Sequence, residues 1–384
     1  MLKAYKYRLY PTDSQKVLIN KHIGACRFIY NLALETKQMA WASYRVNISS
    51  FELMKQIPDL KSECDWLKEI NAQSIQQSIS NLDVAYTLFF KSRNEFPRYK
   101  KKSNSGSFTV KQRISLNADR FIMPKFREGV KIALHRPIKG DIKQANVSKT
   151  TSGKYFVSIL CETGESNIAK VGVKEKSTVG IDLGIKTYLV TSSGQEFDNP
   201  KYLKKSLGKL KYIQSKYSKN KGRRTRQKLA LLHEKVANQR KDFLHKTSTK
   251  LIRENQSIAI EDLNVQGLLK NHKLAQSIAD ASWGEFVRQL EYKGEWYGVN
   301  ILKIGRFEPS SKMCSNCGAT NQELTLNDRK WTCKNCNTTH ERDINAAINI
   351  KSFALKNILS GTDRKNQNEL PTLVGVMTSE AHKE

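Results

Sequence analysis

The chain has 384 residues, room for two or three domains of ordinary size. It carries 66 Lys and Arg against 36 Asp and Glu, a formal net charge of +30, and self-repulsion of that size points to a polyanionic partner. No apolar run reaches the roughly 18 residues that span a bilayer, which argues against a helical membrane protein.

Residues 3–10, KAYKYRLY, alternate, with Tyr5, Tyr7 and Leu9 on one face and Lys6 and Arg8 on the other, which predicts a strand with one wet face. Pro11-Thr12 ends it, and Thr12 with Gln15 makes a capping box for the next element. Leu18, His22, Cys26, Ile29 and Ala33 then recur at helical spacing. Long helices with basic exposed faces are predicted over 13–45 and 72–93, so 12–100 forms a helical insert. From about 106 short alternating runs take over: FTVKQ, RFIMP, GVKIAL, DIKQANVSKT and KYFVSILCE. Turn residues divide them at Asn104-Ser105-Gly106, Glu128-Gly129 and Ser152-Gly153. Antiparallel strands at such short spacing suit a small barrel or a curved sheet into which the opening strand pairs.

A linker is expected over 164–177. TVGIDLGIKTYLVTSSG then gives two strands turning at Gly184-Ile185-Lys186, with QEFD at 195–198 as a third. A helical stretch over 200–254 breaks near Asn220-Lys221-Gly222, and its second arm spaces Leu229, Leu232, Val236, Phe243, Thr247 and Leu251 roughly as heptads, predicting a hairpin. SIAIEDL (257–263) is a buried strand, followed by a helix at 281–297 and a strand at 299–304. The cysteine segment 313–340 leads into a final helix, RDINAAINIKSFALKN. The polar tail from 361 has no periodicity and is expected to be disordered.

The start MLKAYKYRLYPTDSQK has no apolar signal region, so a reducing, cytoplasmic setting is expected and disulfides are not. Cys26, Cys64 and Cys161 are isolated, as buried small hydrophobes are. Cys314-Ser-Asn-Cys317 and Cys333-Lys-Asn-Cys336 have the spacing of a zinc ribbon, each knuckle turning two thiolates toward one point. Gly318 suits the positive φ after the first knuckle. Four thiolates fill a tetrahedral Zn²⁺, leaving no open position, so the expected single zinc is structural.

Three carboxylates form a second set. Asp182 lies among apolar residues in a strand, where a buried charge needs a partner; Glu261 ends the strand SIAIE; Asp343 opens the last helix. Singly they could be a turn acceptor, a surface residue and an N-cap. Together, in strand, strand and helix contexts, they suit two Mg²⁺ ions, with Mn²⁺ as a substitute, acting in phosphodiester hydrolysis. Asp262 beside Glu261 leaves the choice between those two open on the residue pattern alone.

These motifs resemble the TnpB (OrfB-type) family of bacterial insertion sequences from end to end of the chain. KAYKYRLYPT with ACRFIYNLAL resembles its start, VGIDLGIKT and IAIEDLNVQGLLKN its first two RuvC motifs, and SSKMCSNCG…WTCKNCNTTHERDINAAINI the ribbon joined to the third. The resemblance implies a multidomain α/β and α+β protein. It places a β-barrel wedge domain at 1–11 and 101–175, a helical recognition domain at 12–100, and an RNase H-like RuvC nuclease domain at 176–312 and 338–360. The zinc ribbon falls at 313–337 and the tail at 361–384. It selects Asp182, Glu261 and Asp343 as the catalytic, Mg²⁺-binding acids, with Arg342 and Asn345 as supporting groups. It further implies a transposon-associated RNA-guided endonuclease, of the kind ancestral to type V CRISPR effectors. Such a protein binds a guide RNA from the element's right end and cuts both strands of DNA beside a short adjacent motif.

The nucleic-acid surface is expected along two basic stretches. Lys201, Lys204, Lys205, Lys209, Arg223, Arg224 and Arg226 belong to one; Arg93, Arg98 and Lys100, interleaved with Phe89, Phe90, Phe96 and Tyr99, belong to the other. Gln73, Gln76 and Gln77 are candidate readers of the adjacent motif, because amides suit adenine. Competing functions are a guide-dependent DNA-binding repressor that does not cut, and a transposase acting in strand transfer. The three acids speak against the first, and an RNA partner would be unexplained in the second.

Overall fold

The computed structural model describes residues 1–91, 93–102, 105–325 and 328–359. The tail from 361, residue 360 of the expected nuclease domain and Asn104 of the expected turn lie outside the described residues. The chain divides into two units, one covering Met1–Glu165 and the other beginning at Ser166. That division falls within the expected linker and upstream of the expected domain boundary at 175. Residues after it pack into the second unit, where Asn300 Nδ2 donates to the Val171 carbonyl at 2.8 Å.

In the first unit, β1 (Leu2–Tyr10) buries Tyr5, Tyr7 and Leu9, as its alternation requires. Thr12 caps α1 (Asp13–Tyr44): its hydroxyl accepts the Gln15 N–H at 3.3 Å, and its own N–H donates to Gln15 Oε1 at 3.1 Å. α2 (Ser50–Lys55) and α3 (Ile57–Glu63) follow, and α4 (Ala72–Phe90) packs along α1 over Ile29, Leu34, Ile75 and Leu82. His22 is a fully buried polar exception. Its Nδ1 lies 2.9 Å from the Leu18 carbonyl, its Nε2 accepts the Asn71 N–H at 3.1 Å, and burial lowers its pKa, so the ring stays neutral.

Six strands join β1: β2 (Gly106–Val110), β3 (Ser115–Asn117), β4 (Arg120–Met123), β5 (Phe126–Ala133), β6 (Asp141–Lys149) and β7 (Tyr155–Glu162). Their order is β2-β6-β7-β1-β5-β4-β3, antiparallel throughout, with β1 bonded to β7 and β5. The opening strand thus pairs across the helical insert. The order is open: β2 and β3 are its ends, and no pairing joins them among the described residues, so the expected barrel does not close there. Register shifts at Phe121/Met123 and Ile142/Gln144 bend the sheet, while β3, three residues long, offers little edge to pair.

The second unit opens with β8 (Thr178–Leu183), β9 (Thr187–Thr191) and β10 (Glu196–Asp198). The helical hairpin α5 (Tyr202–Asn220) and α6 (Arg223–Glu254) follows, turning at Lys221 in a left-handed conformation, φ +45°. Next come β11 (Ser257–Glu261), α7 (Val265–Leu268), α8 (Ala275–Ala281), α9 (Trp283–Tyr297) and β12 (Asn300–Ile304). The helix expected at 281–297 begins at Trp283, because Ser282, φ +53°, ends the preceding α8, a helix not expected from the sequence, and starts α9. The ribbon strands β13 (Lys330–Thr332) and β14 (Thr339–Glu341) lead into α10 (Arg342–Leu359). Sheet order is β10-β9-β8-β11-β12, antiparallel on the β8-β9-β10 side and parallel from β8 through β11 to β12.

One contact ties α9 to α6, and another seats α10 on the sheet. Buried Lys293 of α9 donates to α6 at the Ser248 hydroxyl (2.7 Å), the Thr249 hydroxyl (2.8 Å) and the His245 carbonyl (3.1 Å), and burial draws its pKa down to about 8. On the other side α10 lies directly on the β8 backbone. A Cβ on Gly180 would sit 2.0 Å from the Ala347 carbonyl oxygen and 2.8 Å from the Lys351 nitrogen. Both obstacles are backbone, so only the whole helix can yield. Gly180→Ala is therefore expected to cost about 3 kcal/mol, the upper range for overpacking. Denaturant unfolding measures it, and a wild-type midpoint would contradict the close packing.

Candidate active site and metal centre

The two knuckles are built alike. The Gly318 N–H donates to the Cys314 carbonyl at 2.9 Å, and the Asn337 N–H donates to the Cys333 carbonyl at 2.9 Å. Both turn residues are left-handed, Gly318 at φ +76° and Asn337 at φ +55°. The result brings Cys314, Cys317, Cys333 and Cys336 Sγ within 4.8 Å of one another, a cluster able to hold a metal ion. The Cys314–Cys336 and Cys317–Cys333 sulfurs are 3.6 Å apart. Metal–sulfur bonds of about 2.3 Å place tetrahedral ligands roughly 3.8 Å apart, so the set fits Zn²⁺ closely. The Thr338 hydroxyl and N–H draw the Cys336 thiol down to about 5, whereas burial pushes Cys314 up to about 11. His340 Nε2 lies 3.0 Å from Cys314 Sγ.

The acids come from the three expected elements. The parallel register Ile181–Ile260 sets Asp182 and Glu261 side by side at the ends of β8 and β11. Asp343 lies in the first turn of α10, where the helix dipole favours an anion. Burial, and then the neighbouring charges of Glu261 and Asp343, push the Asp182 carboxyl up to about 7, against the opposing pull of Arg342 and Arg329. Such a cluster is relieved by a bound cation. The acids are spaced more widely than the thiolates, which are the tight ligand set among the described residues. Asp262, just past the end of β11, forms an ion pair with Arg306 at 2.8 Å. Glu261 and Asp262 both line an open depression with Leu263, Gly267, Leu268 and Arg306.

Several contacts at this centre were not anticipated by the sequence reading. Arg329 of the ribbon donates to both Asp343 oxygens, at 3.1 and 3.2 Å. The Ser310 hydroxyl donates to Glu261 Oε1. Arg342 and Asn345, expected as supporting groups, both face the ribbon. Arg342 Nη1 donates to the Thr325 carbonyl at 3.1 Å; Asn345 Nδ2 donates to the Met313 carbonyl at 2.7 Å and its Oδ1 accepts the Ser315 N–H at 2.9 Å. An arginine between the knuckles and a histidine shortly after the last cysteine were the available signals, and charge and spacing alone give them no partner.

The basic stretch on the hairpin is solvent-facing. Lys204, Lys205 and Lys209 are exposed on α5, Arg223, Arg224 and Arg226 open α6, and Lys201 is half-buried at the α5 cap. Cations in a first helical turn oppose the dipole, so these arginines do not serve α6 itself. The other stretch is mixed. Arg93 is exposed, Arg98 pairs with Glu95, and the Lys100 ammonium sits 3.8 Å over the Tyr30 ring, already engaged. Gln76 is exposed, but Gln77 bonds Asn81 at 3.0 Å and Gln73 bonds Gln112 at 2.6 Å.

Known proteins share these features. Residues 158–272 match a family described as a probable transposase, 283–350 a Cas12f1-like TNB domain, and 1–45 a helix-turn-helix domain. In this chain that last segment is a strand and one uninterrupted helix. A Streptomyces pristinaespiralis protein named as a candidate RNA-guided DNA endonuclease is 36% identical over 378 residues, spanning 96% of this chain and 93% of that protein. An Escherichia coli K12 protein so named is 31% identical over 373 residues, 91% of each chain. Among solved structures, the Cas12f1–sgRNA–target DNA complex aligns with a TM-score of 0.57 and 14% identity, over 91% of this chain and 98% of that one, a likeness of fold.

The cysteine geometry carries its own expectation: purified protein contains about one zinc per chain. Cys333→Ser, or chelation, should release it and expose the ribbon to protease, because metal binding supplies much of such a module's folding free energy. Elemental analysis finding no metal in folded protein would refute it.

Proposed function

This chain belongs to the TnpB (OrfB-type) family, and we propose that it is an RNA-guided endonuclease that cuts double-stranded DNA beside a short adjacent motif. The observation that carries this reading is the convergence of Asp182, Glu261 and Asp343 from two parallel strands and a helix, with burial first and then the other two acids raising the Asp182 pKa. A strand order running third, second, first, fourth, fifth, with α10 across it, supports an RNase H-like RuvC domain. The bent sheet and the helices of the first unit suit the wedge and recognition domains, and the four thiolates a structural Zn²⁺.

Asp182, Glu261 and Asp343 supply the hard oxygens that Mg²⁺ takes. Bound there, two Mg²⁺ ions would activate water and stabilise the leaving oxygen of the phosphodiester. Arg329 brings a guanidinium to the same point, suited to the charge that grows on phosphate. Next to Glu261, the depression floored by Leu263 and Leu268 leaves room for the nucleotide beside the scissile bond. Arg223, Arg224 and Arg226, with the α5 lysines, track nucleic-acid backbone, and the guide–target heteroduplex is read by its shape.

Protein co-expressed with RNA from the element's right end should cut a matched plasmid in Mg²⁺. Asp182→Ala should reduce cutting to background while leaving DNA binding unchanged. Cutting by that variant would overturn the assignment, and strand joining without RNA would favour the transposase that the matching family description names. Binding should also weaken steeply with salt. Replacing Arg223, Arg224 and Arg226 by Ala is expected to lower the slope of log affinity against log salt by about 2 to 3, at roughly 0.7–0.9 per lost phosphate contact. An unchanged slope would place these arginines outside the interface.

A further inference from the structure

Glu261 ends a strand, and a glutamate there has three side-chain torsions to settle before it can bind a cation at a fixed point. The Ser310 hydroxyl donates to its Oε1. Ser310 is itself buried, 6% exposed, and held at both backbone groups. Its N–H donates to the Glu308 carbonyl at 2.7 Å, and its carbonyl accepts Asn349 Nδ2 at 2.7 Å. The same Asn349 amide reaches the Met313 carbonyl at 2.7 Å, which Asn345, one turn earlier on α10, also contacts at 2.7 Å. Asn349 is 1% exposed, so both its donors are spent on this one loop.

We infer that Ser310 is a positioning residue for Glu261, and that Asn349 sets Ser310 in place from α10. The helix that carries Asp343 thereby also fixes the second acid, through the segment that enters the first cysteine knuckle. Orientation of a ligand by a hydrogen-bonded neighbour is a general requirement of metal sites, and its loss costs roughly 10- to 100-fold in affinity or activity. A hydroxyl buried only for packing would have no bearing on the cation. This inference rests on Glu261 being a cation ligand, as proposed above.

Four RNA-loaded proteins test it: wild type, Ser310→Ala, Ser310→Thr and, as a blank, Asp182→Ala. Mn²⁺ binding is titrated by calorimetry without target DNA, with Asp182→Ala as the blank for ions held elsewhere, and cutting is followed against Mg²⁺ concentration. Ser310→Ala is expected to raise the Mn²⁺ dissociation constant and the half-saturating Mg²⁺ about 10-fold or more. Zinc content, melting temperature and DNA affinity should stay unchanged, and Ser310→Thr, which keeps the hydroxyl, should recover the wild-type response. An alanine variant with the wild-type metal response, or a threonine variant as impaired as alanine, overturns the inference while the nuclease reading stands. A wild-type protein that neither binds Mn²⁺ at the acids nor cuts overturns both.

Discussion

The contact between α10 and the backbone of Gly180 governs the geometry of the second unit. A helix normally rides on a sheet at a distance set by side chains, but here nothing larger than hydrogen fits between the strand and the Ala347 carbonyl. Ala346 and Ala347 keep the helix face low on either side. Because α10 starts directly after β14, this one separation fixes the depth of Asp343, the seat of the ribbon and the strap around residues 310–315. A shift of even an ångström would be passed to all three, since packed interiors transmit displacement rather than absorb it.

The same contact gathers negative charge, and the protein answers it with cations from the ribbon side. Arg329 forks Asp343, and Arg342 lies close enough to lower the Asp182 pKa, while burial and the other two acids raise it. Two ligand chemistries therefore stand next to each other without competing. Thiolates in a closed cluster suit a soft, permanent ion, and carboxylates at an open strand end suit a hard, exchangeable one.

Much of this was legible in the residues. Alternation in KAYKYRLY named the buried face of β1, the Thr12–Gln15 pair marked the start of α1, and C-x-x-C spacing located the thiolate cluster. What escaped was whatever depends on partners distant in sequence. Alternation says which face of a strand is buried, not whether the outermost strands meet, so it left a small barrel and a curved sheet both open; among the described residues the strand order is open. The residue pattern left Glu261 and Asp262 equivalent; the register with β8 and the Arg306 partner of Asp262 depend on residues distant in sequence. Lys100 looked like one more charge in a basic run, yet Tyr30, far upstream, takes its ammonium. Ser282 carries no sign of its left-handed backbone, so the start of α9 was placed two residues early, and the short α8 before it was not foreseen.

The order of the acids along the chain has a temporal meaning. Asp182 and Glu261 belong to adjacent strands, but Asp343 arrives 161 residues after Asp182 (343 − 182), behind both cysteine knuckles. At synthesis rates of about 5–20 residues per second, that interval lasts roughly ten to thirty seconds. During it the first unit and the basic hairpin are already made, while the carboxylate triad is short of a member. A nascent chain can thus fold its basic surfaces well before the third of its clustered acids is made.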